Sequence, residues 1–215
     1  MRADRFENAG AASGHYFHQD LLVARCIHSD RPQRHIDVGS SIYGFVCHVA
    51  SFREIEVLDV RPLQEKIHGI TFIQLDVMNL GPDWSEISDS VSCLHALEHF
   101  GLGRYGDPID PDGWEAGLRS LTRLLTVGGR LYLSVPTGKE QRIEFNAHRI
   151  FSLPNLRNRL KKDYEVEELH FVLDDGSLVM NVDAESVEAE SSFGAEYGCS
   201  IWILRKLPTS PAEKK

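Results

Sequence analysis

The sequence lacks the features of several classes of protein. None of its 215 residues belongs to an apolar run of 18 or more, so we expect no membrane-spanning helix. Residues 1–17 are too polar to contain the apolar core of a secretory signal. Lys and Arg number 23 against 32 Asp and Glu, for a formal net charge of -9. Because phosphate backbones are held by clustered cations, we expect neither a nucleic acid nor a membrane partner.

The sequence also lacks a CxxC pair. Its four cysteines are scattered, at Cys26, Cys47, Cys93 and Cys199. Reduced thiols in a cytoplasmic protein fit this pattern better than a disulfide framework. The length and the 42% hydrophobic content suit one globular domain. We expect that domain over residues 15–207, between a flexible arm at 1–14 and a disordered tail at 208–215.

The most informative motif present is HIDVGSSIYG at residues 35–44, an apolar run with an acid and a turn holding two glycines. A second apolar run ends in Asp59 and a third in Asp76. A strand, a glycine-bearing turn, a helix and a strand ending in an acid are typical of a nucleotide-cofactor half-site. The turn departs from the GxGxxG of dinucleotide-binding proteins, which disfavours NAD.

Hydrophobic spacing predicts the order of elements. The predicted helices cover 16–28, 42–51 and 114–125, with one or two more between 146 and 162, interrupted at Pro154. The predicted strands cover 34–38, 54–59, 71–76, 90–94, 130–135, 164–172 and 200–206. This order predicts an α/β fold with a doubly wound, mostly parallel seven-stranded sheet whose last strand is antiparallel. The acidic stretch 174–198 is expected to be a hairpin or a mobile loop.

Two sets of motifs carry a resemblance to known families. The order DxGS…G, LDV, LDV, LHALEH and LLTVGGRLYLSVP, over residues 34–206, resembles class I S-adenosylmethionine (SAM) methyltransferases. More narrowly, HYFHQDLLVARCI, DVGSSIYGFVCHVASF, LHALEHFGLGRYGDPIDPDG and FNAHRIF resemble DUF268, a family of uncharacterised methyltransferase-like proteins. Members of that family are often associated with loci for cell-surface polysaccharides or nucleotide sugars. The resemblance implies a Rossmann-like fold, SAM as cofactor and a small polar acceptor.

The resemblance also implies a set of cofactor-binding residues that follow the strands: Asp37, Gly39, Ser40, Ser41, Gly44, Asp59, Val60, Arg61, Asp76, Val77, Leu94 and His95. Asp37 would hold the methionine part, Asp59 the ribose hydroxyls and Asp76 the adenine. Ser41 and Tyr43 stand where the family pattern has glycines.

The candidate catalytic residues are in His95-Ala-Leu-Glu98-His99, which matches the HxxEH of some zinc proteases. That interpretation is weak, because the motif begins at the end of a predicted strand and a zinc helix needs helical spacing. Three interpretations stay open. His99, with Glu98, could act as the general base of an O-methyl transfer. His95, Glu98 and His99 could hold a divalent metal ion, or Glu98 and His99 could only cap the following loop.

Two polar segments are candidates for acceptor binding. The loop GLGRYGD at 101–107 offers an arginine for a phosphate or carboxylate and a tyrosine for stacking, and FNAHRIF at 145–151 follows the fifth strand. The candidate contacts are Arg104, Tyr105, Asp107, Asn146, His148, Arg149 and Tyr16. Both segments could instead only connect or dock elements.

The sequence therefore predicts a SAM-dependent methyltransferase that methylates an oxygen of a small polar acceptor, such as a sugar or nucleotide-linked sugar. The main alternative is a non-catalytic SAM-fold protein that binds or regulates a partner. A nucleotide-sugar or NAD enzyme is a third possibility. The oligomeric state stays unknown at this level.

Overall fold

The computed structural model describes residues 10–208. Residues 1–9 of the arm predicted at 1–14 and residues 209–215 of the tail predicted at 208–215 lie outside the described residues. The strands are β1 His35–Val38, β2 Ile55–Asp59, β3 Ile70–Gln74, β4 Ser88–Leu94, β5 Leu125–Thr137, β6 Arg142–Glu144, β7 His148–Ile150, β8 Tyr164–Val172, β9 Leu178–Val179 and β10 Gly198–Lys206. The helices are α1 His15–Asp30, α2 Cys47–Ala50, α3 Gly113–Leu124, α4 Leu153–Leu160 and α5 Val187–Glu190.

The main sheet has the order β3-β2-β1-β4-β5-β10-β8-β9. Strands β1 to β5 pair in parallel, and β10 runs antiparallel between β5 and β8. This confirms the predicted doubly wound, mostly parallel fold with an antiparallel last strand. The two-residue strand β9, within the stretch predicted to be a loop or hairpin, adds an eighth strand. The strand order reverses at β1, and cofactors bind such sheets at the carboxyl edge beside that reversal.

Helices cover both faces of the sheet because each has an apolar stripe. On α1, Val23, Ala24 and Ile27 are buried at helical spacing. On α3, Leu118, Leu121 and Leu124 are fully buried against the other face. The two helices thus anchor the sheet from opposite sides and leave its carboxyl edge open to solvent.

The segment after β5 differs from its prediction. Residues 142–150 form the hairpin β6–β7, so the helix predicted to begin at Asn146 does not start there. Pro154 does not interrupt a helix, because it lies in the first turn of α4, where its missing N–H removes no helical hydrogen bond. The helix predicted at 42–51 begins as a π-helical turn at Ile42–Val46 and continues as α2.

The cysteines have the reduced state that their scattered positions predicted. All four cysteines are free thiols, and Cys93 and Cys199 are fully buried. No helix within residues 10–208 is long and apolar enough to cross a membrane.

Candidate active site

A cavity of about 580 Å³ opens at the carboxyl edge of β1, β2 and β4. Its volume lies within the ordinary range for small-molecule sites. The structure brings most of the predicted site residues into its wall: Tyr16, Gly39, Ser40, Ser41, Asp59, Val60, Arg61, Asp76, Val77, Leu94, His95, Glu98, His99, Arg104, Tyr105, Asp107 and His148. Four predicted residues lie outside that wall, namely Asp37, Gly44, Asn146 and Arg149.

Asp37 builds the turn after β1 rather than facing the cavity. Its carboxylate is fully buried and accepts hydrogen bonds from the Ser40 amide (3.0 Å), the Ser40 hydroxyl (2.6 Å) and the Ser92 hydroxyl (2.6 Å). Burial raises the pKa of Asp37 to about 6, and the three hydrogen bonds only partly oppose it. The assignment of Asp37 to the methionine part of SAM is therefore not supported by its position, because no face of the carboxylate is open to a ligand.

The turn itself approaches its neighbours closely. Gly39 has a positive φ of 71°, and a side chain there would meet the Cβ atom of Ala96 at 3.0 Å. Gly44 lies against α1, where an added Cβ atom would come within 2.2 Å of Asp20 Oδ2. Gly44 therefore allows the buried Asp20 carboxylate to approach the turn, while the exposed Tyr43 side chain points into solvent.

Asp59 ends β2 beside the turn, and its carboxylate is already engaged. Arg61 donates from Nε to Asp59 Oδ1 at 2.9 Å, and a second guanidinium nitrogen reaches Oδ2. The Arg61 guanidinium also lies 4.9 Å from the centre of the Tyr105 ring. Arg61 thus links the acid expected to bind ribose to the loop that covers the cavity.

Asp76 does not end a strand as predicted. It lies beyond β3 and caps a 3-10 turn at Val77–Asn79, accepting from the Met78 amide (2.9 Å) and the Asn79 side chain (2.6 Å). Phe72, Leu75 and Met78, which sequence reasoning missed, make this part of the cavity apolar. An apolar slot with a polar residue at its rim can hold a planar heterocycle.

Glu98 lies between the imidazole rings of His95 and His99 in the cavity wall. It lies in the 3-10 turn Leu97–His99, is 1% exposed, and places Oε1 at 3.0 Å from His95 Nδ1 and 3.8 Å from His99 Nε2. His95 reaches this position with a φ of 51°, a strained conformation for a residue with a side chain. Since Glu98 lies between the two rings, the three side chains of the HxxEH motif do not surround one point.

His99 is held in a defined tautomer. Its Nδ1 atom lies 2.7 Å from the Ala147 carbonyl oxygen, which can only accept, so Nδ1 carries a proton. In the neutral ring the lone pair is then on Nε2. Burial lowers the pKa of His99, with Glu98 opposing this effect, so the neutral form dominates at pH 7. A side chain in the cavity wall therefore offers an unprotonated nitrogen.

His95 has the opposite charge preference. Burial alone lowers its pKa, but the neighbouring Cys199 and Glu98 outweigh burial and raise the pKa of His95 to about 10. In contrast, burial and the charge of His95 lower the pKa of His15 to about 4. The two stacked rings, 5.2 Å apart, thus differ in protonation at neutral pH.

Rings dominate the remaining wall of the cavity. Tyr16 lies 4.9 Å from His95, Tyr105 lies 5.7 Å from His99, and His148 lies 5.4 Å from Tyr197, all between ring centres. Sequence reasoning missed Tyr197. The signal was available, because an antiparallel last strand must begin at the edge where the parallel strands end.

The loop at 101–107 is fixed by its own side chains. Asp107 accepts from the amides of Gly103 (3.2 Å) and Tyr105 (3.1 Å), and Arg104 donates to the Ala147 carbonyl (3.1 Å). Two of the candidate acceptor residues in 145–151 do not reach the cavity. Asn146 is exposed outside it.

Arg149 is buried and ties loops together. It donates to the carbonyls of Phe100, Asp110 (3.3 Å) and Pro111 (2.8 Å). Burial lowers the pKa of Arg149, and nearby acids oppose that effect. Its role is to hold the covering loop to β7, so it is not placed to contact an acceptor.

Comparisons with known proteins agree with this geometry. The family model "Caenorhabditis protein of unknown function, DUF268" matches residues 48–193. No curated protein sequence matches the chain significantly.

Several solved structures share the fold. Burkholderia thailandensis 1,6-didemethyltoxoflavin-N1-methyltransferase, solved with bound 1,6-didemethyltoxoflavin and S-adenosylhomocysteine, superimposes with a TM-score of 0.60 at 15% identity, over 88% of this chain and 79% of that one. The N-methyltransferase NodS of Bradyrhizobium japonicum WM9, also with S-adenosylhomocysteine, gives 0.55 at 13% identity, over 90% and 88%. The [4+2]-cyclase SpnF gives 0.61 at 18% identity, over 94% and 86%. The chain therefore has the class I methyltransferase fold, which also carries at least one chemistry other than methyl transfer.

Proposed function

This chain belongs to the DUF268 family, and we propose that it is a SAM-dependent methyltransferase that methylates a hydroxyl group of a small polar acceptor. The observation that carries the proposal is the cavity at the β1 switch point, whose wall contains both Asp59, the acid expected to bind ribose, and His99. We infer that the acceptor is a sugar or nucleotide-linked sugar.

The cofactor half of the cavity fits an adenosyl group. Gly39 lines the cavity without a side chain, so a ligand can approach the backbone of the turn at this position. Asp59 presents two carboxylate oxygens at the end of β2, suited to two ribose hydroxyls once the Arg61 guanidinium moves away. The Arg61 side chain is about half exposed, so its guanidinium can turn into solvent when a ligand takes its place at the buried Asp59 carboxylate. The apolar slot beside Asp76 suits the adenine ring.

SAM supplies an electrophilic methyl group bonded to a positively charged sulfur. The acceptor oxygen must lose its proton as the new C–O bond forms and the C–S bond breaks. His99 Nε2 is unprotonated and lies in the cavity wall, so it can take that proton. Glu98, whose Oε1 is 3.8 Å away, then stabilises the imidazolium that forms. The product is S-adenosylhomocysteine, with the proton on His99 returned to solvent.

The acceptor half favours a flat or ring-shaped molecule with hydroxyl groups. Tyr16, Tyr105 and Tyr197 offer ring faces, which stack against the apolar faces of sugars and bases. Arg104 lies in the same wall and offers a cation to a phosphate or carboxylate. A nucleotide-linked sugar has both kinds of group.

The test begins with binding. Thermal denaturation is followed with SAM, S-adenosylhomocysteine, NAD and UDP-glucose, and a ligand at about 100 times its Kd should stabilise the fold by about 2.7 kcal/mol. We expect a shift with the two adenosyl ligands and none with NAD. S-adenosylhomocysteine release is then measured with nucleotide sugars and free sugars. Absence of any shift with both adenosyl ligands would refute the proposal.

One observation favours a non-catalytic binding protein as the second candidate. The Arg61 guanidinium covers both oxygens of Asp59, and Ser41 and Tyr43 stand where the family pattern has glycines. That candidate predicts binding of SAM with unchanged cofactor recovered after long incubation with every acceptor. Turnover separates the two candidates, because only the methyltransferase releases S-adenosylhomocysteine in the presence of an acceptor.

A further inference from the structure

We propose that His15, His95 and Cys199 bind one zinc-like transition-metal ion at the inner wall of the cavity. The three side chains come from three elements: the start of α1, the turn after β4 and the strand β10. One ligand atom of each lies within 4.8 Å of the other two. The inference concerns a site distinct from the HxxEH motif, of which it uses only the first histidine.

His95 provides the strongest support. It is 8% exposed, and its Nε2 atom is buried without a hydrogen-bond partner among residues 10–208. A buried nitrogen without a partner is costly, and a metal ion would remove that cost. The other ring nitrogen, Nδ1, lies 3.0 Å from Glu98 Oε1. Metal-binding histidines nearly always give their second nitrogen to a carboxylate or carbonyl in this way, which orients the ring.

The other two ligands are suitably placed. Cys199 is fully buried and is a free thiol. The His15 ring stacks on His95 with an angle of 15° between the planes. The pKa of His15 is lowered to about 4, so its ring can bind an ion at neutral pH without losing a proton, whereas His95 must release one.

The ligand set indicates the class of ion. Two imidazoles and one thiolate suit zinc or a similar soft to borderline ion, whereas Mg²⁺ and Ca²⁺ prefer oxygen. Tetrahedral zinc separates its ligand atoms by roughly 3.3–3.8 Å, so any pair at the 4.8 Å limit must close by about 1–1.5 Å on binding. Three protein ligands leave a fourth position for water or an acceptor group, as in catalytic zinc sites. Of the three side chains, His95 also lines the cavity.

The experiment uses the full chain without a histidine tag, stripped of metal with a chelator and titrated with Co²⁺. A thiolate ligand gives a sulfur-to-cobalt charge-transfer band, and tetrahedral geometry gives intense visible bands. We expect both kinds of band, with saturation at one Co²⁺ ion per chain, and we expect added Zn²⁺ to displace the Co²⁺ and remove the bands. We expect Cys199→Ser to lose the charge-transfer band and to bind at least about 100-fold more weakly. Glu98→Gln should weaken binding by about 10- to 100-fold through the orientation of His95.

The matched control is Cys47→Ser, which removes an exposed thiol on α2 and should keep the whole spectrum. Absence of a charge-transfer band in the wild type overturns the proposal, as does a band that survives in Cys199→Ser. If circular dichroism shows that Cys199→Ser does not fold, the wild-type band and its loss in His15→Ala decide the question. SAM binding is measured separately on stripped and zinc-loaded protein. Zinc binding without SAM binding refutes the proposed function and supports the metal site. SAM binding without zinc binding supports the proposed function and refutes the metal site.

Discussion

The buried Asp37 carboxyl makes the free energy of unfolding depend on pH, by an amount that follows from its pKa in the folded protein. Its pKa of about 6 in the folded protein lies above the 3.8 of an unperturbed aspartate. At pH 7 both the folded and the unfolded chain carry the charge. As the pH falls through 6, the folded chain takes up a proton first, and this stabilises it. The gain is complete below pH 3.8 and is lost as the pH rises through 6.

The magnitude follows from the two values. The full effect, from 3.8 to about 6, corresponds to about 3 kcal/mol. Between pH 7 and pH 5 the folded state gains about 1.3 kcal/mol relative to the unfolded state. For a domain of this size that equals roughly 3–5 °C in Tm. The Asp37→Asn variant has no titrating group there, so it should lack this part of the pH dependence.

Urea denaturation of both proteins at pH 5, 6 and 7 measures the difference. We expect the wild type to gain about 1.3 kcal/mol more than Asp37→Asn on going from pH 7 to pH 5. Asp83→Asn, at an exposed carboxyl, should behave like the wild type. An equal pH dependence in Asp37→Asn would show that the carboxyl is not protonated in the fold. A folded Asp37→Asn protein with more than about 10-fold weaker SAM binding would show that Asp37 contacts the cofactor after all.

Three further predictions concern the turn, the base and the ribose position. Gly44→Ala forces the Asp20 carboxylate away from the turn and should cost about 2–3 kcal/mol in urea denaturation, whereas the same change in an Asp20→Ala background should cost far less. His99→Asn should reduce kcat by about 10²–10⁴-fold. It should also abolish the acid limb of the plot of kcat/KM against pH. In the wild type that limb lies below pH 6.5, because the pKa of His99 is lowered. An unchanged profile in His99→Asn contradicts the base role. By calorimetry, Asp59→Asn should weaken SAM binding by about 10- to 100-fold, while Arg61→Gln should strengthen it by no more than about 5-fold. Equal losses in both variants would mean that the arginine itself holds the cofactor.

The sequence predicted the elements better than it predicted the direction of side chains. The stripe on α3 and the strand preceding the glycine turn followed from hydrophobic spacing, which local burial enforces. The interruption expected at Pro154 was wrong, because a proline in the first helical turn and a proline in the middle of a helix look alike in sequence. The hairpin at 142–150 has short, polar strands with little periodic signal.

The candidate site shows the same division. Asp59 and His99 were predicted to share one edge of the sheet because Asp59 ends a parallel strand and His99 follows one, and the structure places both in the cavity wall. Asp37 lies within its strand and its side chain points inward, toward hydroxyls that only folding brings from β4. Arg149 looked like an acceptor contact, but its charge is used to hold carbonyls of a neighbouring loop.

The sequence alone determined the order of helices and strands, the turn at the switch point and the membership in DUF268. These depend on patterns of residues that lie close together along the chain. The tertiary structure alone decided which groups converge. Arg61 reaches across to Tyr105, and His15, His95 and Cys199 meet from positions far apart in sequence. Such contacts depend on how the sheet is wound and on the antiparallel return of β10, and no local pattern of residues encodes them.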